Sequence, residues 1–222
     1  TGTPLVVAEA GGTSGDAMQA GYIDPFTAST GIPVERVPTA DLGKLQAAVK
    51  AGTHEVDVAE LDSISAGAAN ALGLTETIDY AELKPVNPLT PAGQMPYGLG
   101  YQEFSTVPSW ADSAKALTSF TDFFNPTDFP GRRSIPDYPS FVIPVALVAD
   151  GVDPAKMYPL DLPRAFKALD RIKGDLVLWK SGAEPVQQMQ SGEVDYAVAW
   201  SGRVNDQSGV QYTFNQGMID VA

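Results

Sequence analysis

The stretch from Leu5 to Leu61 switches between short apolar runs and segments of helical spacing, and no other feature limits the fold of this chain so strongly. Leu5-Val6-Val7-Ala8 is an apolar run that stops at Gly11-Gly12-Thr13-Ser14-Gly15. Asp16 then opens a segment with Ala17, Ala20, Ile23 and Phe26 at helical spacing, interrupted by Pro25 and closed by Gly31. Residues 33–37 predict a second strand. Asp41 caps a helix carrying Leu42, Leu45 and Val49 on one stripe, and residues 56–61 predict a third strand. A βαβαβ order implies a parallel sheet with right-handed crossovers.

In such a sheet the loops at the carboxyl ends of the strands share one edge, where ligands bind in folds of this class. Residues 9–15, 38–41 and 61–65 fall there, which makes Gly12, Thr13, Ser14, Asp62 and Ser63 candidate binding residues. The glycine loop offers backbone N–H donors to an anion. It lacks the lysine of a P-loop and the spacing of a dinucleotide fingerprint, and a plain turn feeding a helix explains it equally well. An aromatic, glycine-interrupted strand over 97–104, with Tyr101, reads as a crossing between lobes. Helices are predicted over 111–117 and near 119–124.

From residue 128 the alternation resumes. Residues 132–135 predict a strand with Tyr138 at its carboxyl end, and 141–149 fit either a strand or a buried helix. Asp161 caps a helix whose Leu162, Phe166, Leu169 and Ile172 form an apolar face; a buried-type strand over 176–179 and a short helix over 184–190 follow. The run EVDYAVAWSGR then ends a strand at Trp200 and sets Arg203 just beyond Ser201-Gly202. An indole face beside a guanidinium suits a small carboxylate-bearing molecule. A last strand is predicted over 210–214. The pair Arg132-Arg133 reads as solvated or ion-paired.

Acidic residues outnumber basic ones 27 to 14, a net charge of −13, which argues against nucleic-acid binding and suits a cationic or zwitterionic partner. Cysteine is absent and His54 is the single histidine. That removes thiolate chemistry and multi-histidine metal centres, disfavours a Ser-His-Asp triad, and leaves no cofactor or metal to expect. His54 follows a predicted helix end, away from the strand-end loops. No apolar run is long enough to span a membrane. The start at Thr-Gly-Thr suggests a removed targeting segment.

Together, AEAGGTSGDAMQAGYIDPFTASTGI, FPGRRSIPDYP, DGVDPAKMYPLDLPRAFKALDRIK, WKSGAEPVQQMQSGEVDYAVAWSGR and FNQGMID resemble the extracellular solute-binding proteins of ABC importers, in the branch of the spermidine/putrescine and γ-aminobutyrate (GABA) receptors. The resemblance implies an α/β, two-lobed periplasmic-binding-protein fold, type II-like, with a hinged cleft. Lobe one would comprise residues 1–104 with 206–222, and lobe two 105–205. It implies a periplasmic or extracellular, membrane-associated monomer that delivers a small amine or amino acid to an ABC permease, and a longer chain than the one that ends at Asp220-Val221-Ala222. Trp200 looks like the family's aromatic wall, Asp220 like the acidic group that holds the ligand's ammonium, Ser63 like a small polar contact, and Thr13-Ser14 like its first ligand loop. Polyamine receptors tend to carry Asp where this chain has Arg203. A cation there repels a diamine and attracts a carboxylate, so the expected solute is GABA or a related ω-amino acid, with Arg203 on its carboxylate and Asp220 or Asp62 on its amine. A polyamine receptor is the alternative within the class; a small-molecule enzyme with two α/β lobes is the alternative outside it.

Overall fold

The computed structural model describes residues 2–38, 42–53, 55–83 and 93–222. Asp41 and His54 lie outside the described residues. The chain forms two compact units, one of residues 1–102 with 221–222 and the other of residues 103–220.

In unit 1, β1 (Leu5–Glu9) lies between β2 (Val34–Pro38) and β3 (Val58–Ala59), parallel to both. This is the βαβαβ sheet expected from the alternation. β3 is shorter than the apolar run suggested, because only Val58 and Ala59 pair, with Val7 and Ala8. The first crossover is α1 (Gly12–Met18), a π-helical turn (Gln19–Ile23) and α2 (Asp24–Thr30). Helix therefore begins inside the glycine loop. Pro25 does not break the pattern, since it sits in the first turn of α2, where no intrahelical N–H is needed. Next come α3 (Leu42–Ala51), α4 (Ser63–Ala71) and the short hairpin of β4 (Gln94–Met95) and β5 (Gly98–Leu99). The chain end joins this unit through Tyr101 N–H to the Ala222 carbonyl (2.9 Å) and Ala222 N–H to the Gln102 carbonyl (3.1 Å).

Unit 2 contains β6 (Glu103–Ala111), α5 (Phe120–Phe123), β7 (Arg133–Pro136), α6 (Pro139–Ala149), α7 (Leu162–Asp170), β8 (Leu176–Trp179), α8 (Glu184–Gln190), β9 (Tyr196–Trp200), α9 (Ser201–Val204), β10 (Val210–Tyr212) and all but the last residue of β11 (Met218–Val221). Its six-stranded sheet runs β10-β6-β9-β7-β8, with β11 also paired to β6. The period-two alternation of β9 sorts two cores. Tyr196 and Val198 enter one cluster with residues of α5, α6 and α7, while Ala197 and Ala199 enter another with Val186 and Met189 of α8.

Several expectations change here. Residues 206–220 stay in unit 2 rather than returning at 206, because β10 and β11 both pair with β6. The helix expected over 111–117 is absent: Trp110 and Ala111 complete β6 as a nine-residue strand facing β9 and β10. Residues 141–149 resolve as helix, and all of them are buried. α7 is capped by Asp161 as expected, with Oδ1 accepting from Arg164 N–H at 3.0 Å. It buries Ala165 and Ala168 instead of Leu162 and Phe166, which are 46% and 56% exposed. Small side chains let α7 lie close to α6. Arg133 is 0% exposed, not solvated. Its guanidinium donates to the carbonyls of Phe123 (2.8 Å), Gly131 and Phe129, and lies 5.1 Å from the Tyr196 ring centroid. Carbonyl acceptors and an aromatic face make such burial tolerable.

Candidate functional site

The two units carry different groups at their strand ends. In unit 1, β1 ends on Glu9 and the chain beyond β3 carries Glu60. Glu9, 6% exposed, receives Arg36 Nη2 of β2 at 2.9 Å and the Gly11 N–H at 2.6 Å. Glu60 receives the Ala10 N–H at 2.6 Å, the Tyr101 hydroxyl at 2.6 Å and Gln102 Nε2 at 3.3 Å. Ser14 Oγ in turn reaches Gln102 Oε1 at 3.4 Å. The N–H donors of Ala10 and Gly11 are thus turned toward carboxylates. Gly15 is required beneath them, because a Cβ there would stand 2.2 Å from Arg36 Nη2 and 2.4 Å from Glu9 Oε2.

Burial, and then the hydrogen bond to Glu60, hold the Tyr101 hydroxyl protonated far above the usual phenol range. The exposed ring of Tyr22, in the π-helical turn, meets Tyr101 edge-on at 5.9 Å. Asp62 is the N-cap of α4: its carboxylate accepts Ser65 N–H at 2.9 Å and donor Ser65 Oγ at 2.6 Å. Both oxygens therefore have local partners, the ordinary behaviour of an aspartate at this position. Gly12 and Thr13 are exposed in the first turn of α1, and Ser63 is the first residue of α4.

In unit 2, the parallel arrangement of β7, β8 and β9 brings Tyr138, Lys180 to Gly182 and Trp200 to one sheet edge. Trp200 is the centre of an aromatic box. Its ring centroid lies 5.0 Å from Trp179, 5.5 Å from Phe141, 6.1 Å from Phe104 and 6.3 Å from Tyr138; the Tyr138 ring is inclined only 30° to it. Trp179 is anchored from below by Nε1 donating to the Val198 carbonyl at 3.0 Å. Tyr138 donates its hydroxyl to the Lys180 carbonyl at 2.7 Å, and burial is the main cause that raises its pKa, with the charges of Asp137 and Glu184 adding to it.

Arg203 follows in α9, half-buried, and its Cγ lies beside Gly182 just as Trp200 does. Trp200 Nε1 and Thr106 Oγ1, on residues paired across β6 and β9, are buried without a hydrogen-bond partner among the described residues. Asp220, 6% exposed, lies in β11 on β6. Trp200, Arg203 and Tyr138 are thus brought together; Asp220 belongs to the same unit; Gly12, Thr13, Ser14, Asp62, Ser63 and Tyr101 belong to the other. Sequence reasoning missed Phe104, Phe141 and Trp179 of the box, and Glu9 and Glu60 of the carboxylate network. The signal for the two glutamates was available, since each closes an apolar strand run.

Residues 21–219 match the family described as "Bacterial extracellular solute-binding protein". The chain belongs to that family. It is 30% identical over 208 residues to the γ-aminobutyric acid-binding protein of Pseudomonas aeruginosa, covering 90% of this chain and 59% of the relative. The chain thus spans less than two thirds of that relative's length. Among solved structures, a GABA receptor superposes with TM-score 0.85 at 34% identity, and the binding protein AgtB of A. tumefaciens R10, in complex with agropinic acid, with TM-score 0.88 at 31% identity. Each alignment covers 99% of this chain and 70% of the other. The mixed α/β, two-unit architecture is that of the periplasmic binding proteins.

Proposed function

We propose that this chain binds a small zwitterion, GABA or a related ω-amino acid, and works outside the cytoplasm as the solute-capturing component of an ABC importer, handing its ligand to a membrane permease as a monomer. One observation carries the reading: the stem of Arg203 lies beside the same glycine, Gly182, as the Trp200 ring, which centres a five-ring aromatic box and has a buried N–H without a partner among the described residues. In the proposed complex Arg203 takes the carboxylate through its fork of donors, the Trp200 face covers the alkyl chain, and Asp220 takes the ammonium. Asp62 is set aside as the amine partner because it caps α4 in unit 1, whereas Asp220 belongs to the same unit as Trp200 and Arg203. The likeness to a GABA-binding protein agrees with this chemistry. The function is capture without turnover.

A polyamine is the second reading, favoured by the charge of −13 and opposed by Arg203, which would meet one of the two ammonium groups. A thermal-shift panel separates them, since a ligand that binds only the folded state raises the midpoint by mass action. GABA is expected to raise the midpoint and putrescine to leave it unchanged. A shift with putrescine or spermidine alone transfers the assignment to polyamines. A shift with agropinic acid alone transfers it to larger opine-like carboxylates.

A further inference from the structure

We infer that Gly182 is a positioning residue for the proposed solute site: its missing side chain sets where the Trp200 indole and the Arg203 stem lie. This inference rests on the reading of Trp200 and Arg203 as ligand contacts. A Cβ built on Gly182 stands 2.9 Å from Trp200 Cε3, 3.0 Å from Trp200 Cζ3 and 3.1 Å from Arg203 Cγ. The first is a separation that carbon atoms do not adopt without movement and the other two are tighter than ordinary contacts, so a methyl group there displaces something.

What moves is fixed by how the surroundings are held. The loop of Gly182 is clamped from both sides. The Glu184 carboxylate accepts the N–H groups of Lys180 (3.2 Å) and Ser181 (3.0 Å), and the Tyr138 hydroxyl donates to the Lys180 carbonyl at 2.7 Å. The loop therefore resists retreat. Among the described residues Trp200 is held by ring contacts and by its backbone, with no hydrogen bond at Nε1, so the indole is the part that yields. Its benzo edge faces Gly182, so the pyrrole N–H lies on the edge turned away. Pushing on Cε3 and Cζ3 tilts the face and the N–H together. Arg203, one helical turn beyond, meets the same methyl through Cγ and shifts its guanidinium. One substitution thus misaligns both of the groups assigned to the solute, although Gly182 touches none of it.

The test uses wild type, Gly182→Ala, Trp200→Phe and the double variant, read by near-ultraviolet circular dichroism and by calorimetry with GABA. Phenylalanine lacks the fused ring whose Cζ3 edge abuts Gly182, so it makes room for the methyl group. Gly182→Ala is expected to alter the indole dichroism and to weaken GABA binding about tenfold. In the Trp200→Phe background, where the Arg203 stem alone still meets the methyl group, the same substitution is expected to add a distinctly smaller loss. An unchanged spectrum and affinity in Gly182→Ala overturn the inference, and so does an equal loss in both backgrounds, because the effect then does not pass through the indole. If wild type binds no GABA, the functional reading fails by itself and the dichroism alone decides the positioning role. If Gly182→Ala does not fold, recovery of folding in the double variant upholds the clash and its absence overturns it.

Discussion

Unit 2 and unit 1 are built on different physical footings. Both hydrophobic clusters lie in unit 2, one on each face of its sheet, and side chains such as Phe120, Phe123, Leu147 and Trp179 are fully buried there. In unit 1 the buried apolar side chains among the described residues are Val7, Ala8, Ile23 and Ala69, joined by Val221, while Val49, Val58 and Leu72 are about half exposed. What unit 1 has instead is the network of Glu9, Arg36, Glu60, Tyr101 and Gln102 at its strand ends. The aromatic box stands on packed sheet ends; the carboxylate network stands on hydrogen bonds. The first should fail through lost volume, the second through lost partners and through pH.

The largest expected effect is in unit 2. Phe123→Ala leaves a cavity in the main cluster and removes a ring facing Arg133, which should cost about 3–5 kcal/mol in denaturant unfolding. A loss as small as that of a surface substitution would break the contrast. In unit 1, Arg36→Ala leaves the buried Glu9 carboxylate with the Gly11 N–H and without its cation, an expected loss of about 1–3 kcal/mol, discounted because Arg36 itself is partly exposed. Tyr101→Phe should cost about 1 kcal/mol at neutral pH by removing the bond to Glu60.

The sign of the pH effect follows from Tyr101's raised pKa. The folded chain keeps the phenol proton where the unfolded chain has lost it. Its stabilisation is therefore full below about pH 10 and declines as pH rises further. Tyr101→Phe should flatten that alkaline decline, and an unaltered slope would remove Tyr101 from the network's account. Tyr138 and Tyr196 are shifted in the same direction, so a residual slope belongs to unit 2.

The smallest effect is expected from Asp150, whose hydrogen bond with Arg164 is the main cause that lowers its pKa, with Arg171 assisting. Its contribution is present above the usual carboxylate range and is lost as pH falls through it. Being partly solvated, the cluster should contribute less than about 1 kcal/mol, so Asp150→Asn should scarcely move the unfolding midpoint.

The order of elements was largely legible in the sequence because period-two and period-3.6 patterns report directly on burial. The pattern stopped being informative where burial is complete or is achieved with small residues. Residues 141–149 are buried on every side, so they carry no stripe. α7 packs through Ala165 and Ala168, and of the expected face Leu169 and Ile172 join the core while Leu162 and Phe166 point outward. β6 (103–111) was missed between the strand expected over 97–104 and the helix expected from Ala111, because its end is set by pairing with β10, a segment about a hundred residues away, as Val210 opposite Ala111 shows. Of the candidate site, the residues on one contiguous motif, Trp200 and Arg203, were legible. Phe104, Phe141 and Trp179 join the box only through the register of separate strands, and Gly182 matters only through a distance that no local pattern encodes.

The central claim is that Arg203, beside the Trp200 box, recognises the carboxylate of a small amine-bearing solute. Titration calorimetry of GABA into wild type and Arg203→Ala tests it most directly, with thermal unfolding of both as the check on folding. The account predicts binding by wild type and a loss of more than about a hundredfold in a variant that still unfolds cooperatively. Undiminished affinity in Arg203→Ala would contradict it.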